Sequence, residues 1–174
     1  ISCSILSYMK HIHGHHHNFD DPESFAQRFE APERDAWQKP EEVIPSFQLP
    51  DDATVAEIGA GTGYFVVRLA RHLANGTVIG LDTQPRMVEY LRQRAAELGL
   101  SNVDARLVQQ AEALPLTEQL DLLLCVDVYH HIADRISLFS RYAKHLKDVG
   151  KLVIIDRAGD APASGLVSVM GASI

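Results

Sequence analysis

Between residues 53 and 156 the sequence alternates short apolar runs with longer amphipathic segments, and this alternation limits the possible folds more than any other feature. Five apolar runs predict strands, at residues 53–58, 77–81, 103–108, 119–126 and 151–156. Three segments with helical spacing of their apolar residues lie between them, at 62–73, 85–98 and 136–146. Strands that are apolar along their length are typical of parallel sheets covered on both faces. The sequence therefore predicts an α/β fold, a doubly wound, mainly parallel sheet with helices on both faces.

Polar residues and glycines follow the ends of four predicted strands. They are Gly59, Asp82, residues 109–112 and residues 127–131. The carboxyl ends of parallel strands meet at one edge of the sheet, and ligands of such folds bind there. We therefore expect a single ligand site built from these four strand ends.

The first strand runs into a loop with glycine at every second position, Gly59, Gly61 and Gly63. Glycine adopts backbone angles that other residues avoid, and it lets a ligand approach the main chain closely. Asp82 ends the second strand about 20 residues later, where a carboxylate can accept hydrogen bonds from both hydroxyls of a ribose. These features fit either a dinucleotide or an adenosyl compound.

The residue after the third glycine distinguishes between these two kinds of ligand. A dinucleotide fingerprint, G-x-G-x-x-G/A, requires glycine or alanine at position 64 for close packing of helix and strand. The sequence has Tyr64 there, and its glycines run G-x-G-x-G. An NAD-dependent oxidoreductase therefore remains only a lower-ranked alternative.

Four motifs, in this order, resemble those of the class I S-adenosylmethionine-dependent methyltransferases. They are VAEIGAGTG at 55–63, GLDTQPRM at 80–87, QQAEALPL at 109–116 and CVDVYHHI at 125–132. The resemblance covers residues 53–156 and implies a Rossmann-like methyltransferase fold, S-adenosylmethionine as the cofactor and methyl transfer to a small molecule. It also implies the cofactor-binding residues, which are Glu57, Gly59, Ala60, Gly61, Gly63, Asp82, Thr83, Met87, Gln110, Ala111 and Glu112.

The resemblance suggests a role for several of these residues. Asp82 would hold the ribose hydroxyls, and Met87 or the Thr83 backbone would border the adenine. Gln110 replaces the family's aspartate that meets the adenine amino group, and its carbonyl oxygen can still accept a hydrogen bond. Glu112 could make a nearby polar contact instead. Glu57 either orients the glycine loop through main-chain N–H groups or touches the ligand.

Three polar residues just past the fourth strand, Asp127, His130 and His131, are candidates for acid–base chemistry. A nitrogen or oxygen acceptor loses a proton when it is methylated, and histidine can take a proton near neutral pH. Asp127 could orient the histidine or accept a hydrogen bond. Adjacent histidines after a strand also act as helix caps or packing residues, so both interpretations stay open.

The sequence divides into four predicted parts: a mobile, His-rich tail at 1–20, an N-terminal helical lid at 21–50, a cofactor-binding α/β core at 51–157 and a short C-terminal tail at 158–174. Three prolines in the lid, Pro22, Pro32 and Pro40, each predict the first turn of a helix. The tail has five histidines between residues 11 and 17, but closed zinc sites need spaced ligands on a scaffold, so we expect no metal.

The C-terminal end of the sheet is predicted to be incomplete. The family's sheet has seven strands, whereas only 18 residues follow Asp156, with one possible strand at 166–170. The fifth strand would then be an exposed edge, an edge covered by the short tail, or the interface of a homodimer. The missing or shortened strands also keep open a second function, that of a non-catalytic methyltransferase-like binding module or fragment.

Charge and composition exclude several classes of partner. There are 16 lysines and arginines against 23 aspartates and glutamates, and a net charge of −7 disfavours nucleic acid. No apolar run approaches the about 20 residues of a membrane span. Cys3 and Cys125 do not resemble a disulfide framework, so we expect a cytoplasmic protein. Aromatic residues in the predicted lid, Phe25, Phe29 and Trp37, suit a small, partly apolar methyl acceptor.

Overall fold

A computed structural model of the chain describes residues 22–109, 115–156 and 170–172. The predicted His-rich tail and three predicted cofactor residues, Gln110, Ala111 and Glu112, lie outside the described residues.

Three short helices precede the sheet: α1 (Pro22–Phe29), α2 (Pro32–Gln38) and α3 (Pro40–Ser46). Each begins at a proline, as predicted, because proline has the φ of a helix and its missing N–H costs nothing in the first turn. Lys39, with a left-handed φ of 46°, ends α2 and begins α3. Pro45 lies in the last turn of α3, which ends one residue later.

The first five strands and the three helices between them then follow in the predicted order. The elements are β1 (Thr54–Ile58), α4 (Tyr64–His72), β2 (Thr77–Asp82), α5 (Pro85–Glu97), β3 (Val103–Leu107), β4 (Leu120–Val126), α6 (Arg135–Ala143), β5 (Leu146–Ile155) and β6 (Met170–Ala172). A short 3₁₀ turn, Tyr129–His131, connects β4 to α6.

The strands form one sheet in the order β3-β2-β1-β4-β5-β6, parallel except for the last pair. From β1 the chain first builds outward through β2 and β3, and then returns to place β4 on the other side of β1. The carboxyl ends of β1 and β4 therefore flank the point where the strand order reverses, which is where open α/β sheets bind ligands.

Apolar side chains form a cluster on each face of the sheet, so the predicted two-sided cover is confirmed. Phe65, Leu69 and Leu91 from α4 and α5 are almost fully buried on one face. Tyr142 from α6 packs with the other face, at 2% exposure. Cys125 lies within this second cluster as a buried free thiol, and burial raises its pKa to about 12, so the thiol stays protonated and inert near neutral pH.

The start of β5 differs from the sequence prediction, which placed Leu146 at the end of a helix. Leu146 instead pairs with Leu120 of β4, whereas Leu122 pairs with Lys151, so the chain bulges out between these two pairs. Val149 in the bulge is 83% exposed. The helical spacing of Leu146 is therefore coincidental, because this partly buried residue belongs to a strand.

The outer edge of β5 is covered by part of the C-terminal segment. β6 pairs antiparallel with residues 152–154, and it has only three residues. Of the alternatives predicted for this edge, the structure has the covering tail, and a homodimer stays a prediction. Among the described helices, none has the length and apolar character needed to span a bilayer.

Candidate functional site

The three glycines after β1 have different surroundings. A Cβ on Gly59 would lie 2.5 Å from Val128, and one on Gly63 would lie 2.3 Å from Leu91 of α5. A Cβ on Gly61 would meet nothing within 4 Å, although the φ of Gly61 is +53°. Gly59 and Gly63 are thus needed for packing, while Gly61 borders open space that a ligand can enter.

Asp82, at the end of β2, is fixed against this open part of the loop. Its Oδ2 accepts the backbone N–H of Gly61 at 2.8 Å, and its Oδ1 accepts that of Gln84 at 2.9 Å. Burial raises the pKa of the Asp82 carboxyl, and these two hydrogen bonds oppose the rise. Each carboxylate oxygen retains acceptor capacity for a further hydrogen bond.

The two predicted adenine-side residues lie close to Asp82 in the chain but differ in exposure. Thr83 is exposed directly after β2, whereas Met87 on α5 is buried at 1% exposure. Ala60, in the glycine loop, is also buried, and its N–H donates to the Leu81 carbonyl at 3.0 Å. The structure therefore brings the loop, Asp82 and Thr83 together and places Met87 beneath the surface.

Glu57, at the end of β1, is a buried acid with 4% exposure. Its Oε2 has no hydrogen-bond partner among the described residues. Burial raises the pKa of Glu57 from 4.5 to about 8, although the nearby Arg34 guanidinium opposes the rise. The site thus contains a carboxyl group with an unused acceptor atom.

The raised pKa of Glu57 predicts a pH-dependent stability. Between pH 4.5 and 8 the folded protein holds a proton at Glu57 that the unfolded chain has lost, so the free energy of unfolding falls as the pH rises. At about 1.4 kcal/mol per pKa unit, this fall in the free energy of unfolding is on the order of 5 kcal/mol. Glu57→Gln should remove most of this fall, measured by urea unfolding at several pH values. The exposed control Glu89→Gln should keep it, and equal slopes in both variants would contradict the assignment.

Helix α2 reaches the end of β4 through two polar side chains. Nε2 of the buried Gln38 donates to Oδ2 of Asp127 at 3.2 Å, and Nε of Arg34 donates to Oε1 of Gln38 at 3.1 Å. The Arg34 guanidinium also lies 3.9 Å from the ring centroid of Tyr64. The predicted catalytic carboxylate of Asp127 is therefore hydrogen-bonded to an N-terminal helix, a contact that the sequence did not indicate.

Ion pairs connect the end of helix α1 to α4 and α5. Glu30, which follows α1, pairs with Arg94 of α5 at 2.5 Å and with Arg68 of α4 at 3.6 Å. The hydroxyl of Thr62, in the glycine loop, donates to Glu30 at 3.1 Å. These groups are only about one-fifth exposed, so water screens their attraction less than it does on an open surface.

The two predicted catalytic histidines lie in the turn after β4, and both are exposed. Nδ1 of His130 is 2.8 Å from Oδ1 of Asp156, the residue that follows β5. The ring of His131 lies 4.0 Å from that of His130, centroid to centroid. Asp156 was missed as a site residue, although its place at the end of a strand was a usable signal.

A cleft of about 690 Å³ opens elsewhere, between α3, α4 and α5. Its lining includes Ile44, Arg71, Tyr90 and Leu98, but neither Gly61 nor Asp82. Within the described ranges, no three His, Cys, Asp or Glu side chains come together as a metal site. None of the described residues that the sequence predicted for the site lines this cleft.

Comparison with known proteins agrees with this geometry. Residues 49–165, more than half of the chain, match the sequence model described as a methyltransferase domain. The chain belongs to this methyltransferase family. As an S-adenosylmethionine-dependent methyltransferase domain, it has S-adenosylmethionine as its cofactor. The predicted family, fold class and cofactor are therefore confirmed.

Two curated relatives match parts of this methyltransferase domain. An uncharacterized methyltransferase-like protein of Schizosaccharomyces pombe is 33% identical over 115 residues, 65% of this chain and 41% of the relative. A probable (S)-tetrahydroprotoberberine N-methyltransferase of Papaver bracteatum is 36% identical over 87 residues, 49% of this chain and 24% of the relative. The chain spans less than half the length of these curated relatives.

The fold of the methyltransferase domain is also found in solved structures. The crystal structure of a SAM-dependent methyltransferase from Aquifex aeolicus matches with a TM-score of 0.72 and 26% identity. The match covers 82% of this chain and 77% of that one.

The residues of the methyltransferase domain fit an adenosyl sulfonium cofactor. Open space beside Gly61 leaves room for the ligand next to the main chain, and the adjoining Asp82 carboxylate can accept hydrogen bonds from ribose hydroxyls. The buried Glu57 carboxyl group, which precedes this loop, has one oxygen, Oε2, without a hydrogen-bond partner among the described residues. Individual contacts to the cofactor stay predictions for every site residue.

Proposed function

We propose that this domain catalyses methyl transfer from S-adenosylmethionine to a nitrogen or oxygen atom of a small organic molecule. The observation that carries the proposal is the open space at Gly61 beside the fixed carboxylate of Asp82. Together they offer main-chain and carboxylate contacts to an adenosyl compound, at the strand ends where the acid–base candidates also lie.

The bound cofactor supplies a methyl group on a positively charged sulfur, and the pair of electrons in the carbon–sulfur bond stays on sulfur when the methyl leaves. The chain has to align the acceptor behind that methyl group, exclude water and remove a proton from the acceptor. We propose that a residue of the segment with Asp127, His130 and His131 removes this proton. His130 is the best supported of the three, because its Nδ1 lies 2.8 Å from Oδ1 of Asp156, whereas the Asp127 carboxylate is hydrogen-bonded to Gln38.

We propose that residues 21–50 form a lid over a cofactor-binding core at 51–157. Two contacts support this role. The hydrogen bond from Gln38 to Asp127 connects the lid to the candidate site, and the ion pair of Glu30 with Arg94 connects it to α5. Phe25 and Phe29, with ring centroids 5.4 Å apart, give the lid an apolar surface. That surface favours a small, partly apolar acceptor, and the related protein from Papaver bracteatum is named a probable (S)-tetrahydroprotoberberine N-methyltransferase.

The acidic charge balance, with a net charge of −7, supports a protein without a nucleic-acid partner. The buried free thiol of Cys125 supports a cytoplasmic location, where thiols stay reduced.

One observation favours a second candidate function, a binding module without catalysis. Oδ2 of Asp127 is engaged by Gln38, so the carboxylate nearest the end of β4 is committed to the lid contact. In a binding module this contact would be permanent, whereas in an enzyme the acceptor has to enter beside it.

Calorimetry and a transfer assay test the proposal together. The whole chain is titrated with S-adenosylmethionine, S-adenosylhomocysteine and NAD, and is then incubated with methyl-labelled S-adenosylmethionine and amine, phenol and carboxylate acceptors. Binding of both adenosyl compounds, with label transferred to one acceptor class, supports the enzyme. Binding without transfer to any class refutes it in favour of the binding module, and binding of NAD alone refutes both.

A further inference from the structure

His130 is bound on one side by the carboxylate that follows β5. Asp156 Oδ1 and Oδ2 lie 2.8 and 3.0 Å from Nδ1 of His130, and Oδ2 also accepts the backbone N–H of His130 at 3.0 Å. The Asp156 side chain is 12% exposed, whereas that of His130 is 47% exposed. In this pair Asp156 is therefore fixed within the protein, whereas the ring of His130 is accessible to a second molecule.

The chemistry of the two groups determines where the proton of the imidazole lies. A carboxylate can only accept hydrogen bonds, so Nδ1 of His130 must carry the hydrogen that bonds Asp156. In the neutral ring the other nitrogen, Nε2, then has a lone pair and no hydrogen. Nε2 is thus the atom of this pair that can accept a proton from another molecule.

The turn with His130 lies beside the glycine loop. Val128 fills the space where a side chain of Gly59 would be, with 2.5 Å between Val128 Cγ2 and that Cβ position. The strands that lead to the loop and to the turn are neighbours, since Ile58 of β1 pairs with Cys125 of β4. His130 and Asp156 therefore stand at the same strand ends as the predicted cofactor site.

We propose that Asp156 is a positioning residue that fixes His130 as the Nδ1–H tautomer, leaving Nε2 to take the proton that the methyl acceptor loses. This rests on the proposed function, because it needs an acceptor with an N–H or O–H group. The N–H or O–H bond of the acceptor breaks, and its proton passes to Nε2 of His130. The electron pair of that bond stays on the acceptor nitrogen or oxygen, which bonds the methyl carbon. Asp156 stabilises the resulting imidazolium, which returns the proton to water after the product leaves.

The first test measures the tautomer without cofactor or acceptor. In ¹⁵N NMR spectra of the whole chain, recorded where the rings are neutral, His130 should have its hydrogen on Nδ1; His130→Gln assigns its signals. In Asp156→Asn the amide oxygen can keep the backbone N–H of His130, while the amide N–H group faces Nδ1 and moves the hydrogen to Nε2. The exposed control Asp148→Asn should leave the tautomer unchanged.

The second test measures methyl transfer to the acceptor class that gives turnover. Asp156→Asn should lower kcat by about 10²- to 10⁴-fold, the usual range for general acid–base catalysis, with KM for S-adenosylmethionine nearly unchanged. Asp156→Glu, which keeps a carboxylate, should recover part of the rate, and Asp148→Asn should have the wild-type rate. A purely structural role would instead reduce cofactor affinity and thermal stability together with the rate.

Two results overturn the proposal: a wild-type His130 with its hydrogen on Nε2, or an Asp156→Asn variant that keeps the wild-type tautomer or rate. Failure of the proposed function looks different. In that case the wild-type chain does not bind S-adenosylmethionine or transfers no methyl group, whereas the spectra still report on the tautomer.

Discussion

Gly63→Ala is expected to lower the free energy of unfolding by about 3 kcal/mol, because two costs meet at this residue. Its φ of +86° is left-handed, which costs a residue with a side chain about 1–2 kcal/mol. The new Cβ would also lie 2.3 Å from Leu91 Cδ1, and overpacking of a core typically costs about 1–3 kcal/mol. Leu91 is 1% exposed, so it has little room to move.

Gly61→Ala is the matched control for this prediction. It has a positive φ of +53°, but its Cβ would meet nothing within 4 Å, so only the backbone cost of about 1–2 kcal/mol applies. Urea unfolding of both variants measures the difference. Equal losses would show that contact with α5 does not explain the glycine at position 63. The two variants should also differ in binding, since the Gly61→Ala methyl group occupies the space assigned to the cofactor.

Asp82→Ala is expected to weaken S-adenosylmethionine binding by at least about 100-fold. Hydrogen bonds to a charged group contribute about 1.5–3 kcal/mol each, and the carboxylate is proposed to accept two from the ribose. The substitution also removes the acceptor that holds the Gly61 and Gln84 N–H groups, so the loop loses its fixed position. Both effects act in the same direction.

Calorimetric titration of the variant with S-adenosylmethionine measures this loss. Asp82→Asn should bind with intermediate affinity, because one amide oxygen can still accept a hydrogen bond. Glu89→Ala, an exposed substitution on α5, should bind like the wild type. Wild-type affinity in Asp82→Ala, in a chain that remains folded, would remove Asp82 from the cofactor site.

The parts of the structure that the sequence predicted depend on local patterns. β1 to β4 and the helices between them follow from apolar periodicity, and the glycine loop with Asp82 follows from residue type at strand ends. Leu146 was assigned wrongly because its spacing fits a helix, while its true partner, Leu120, is 26 residues away along the chain. The pairing of two strands after a bulge has no signature within either strand alone.

The polar contacts of the site could not be predicted from the sequence, for a different reason. Gln38 and Asp127 are 89 residues apart, Glu30 and Arg94 are 64 apart, and His130 and Asp156 are 26 apart. Each pair depends on how one element crosses another, which residue types and spacing do not determine. The sequence could therefore nominate Asp127 and His130 as chemical groups, but not the neighbours that engage them.

The contact between Val128 and Gly59 has a mechanical consequence. Because the valine side chain fills the place of an absent one, neither segment can shift toward the other without a clash. The glycine loop, which is proposed to bind the nucleoside, and the turn that contains His130 should therefore move as one piece during thermal fluctuations. Under such a constraint, the helices before the sheet are the elements left to adapt the domain to a new acceptor, while the spacing between the proposed cofactor site and His130 is preserved.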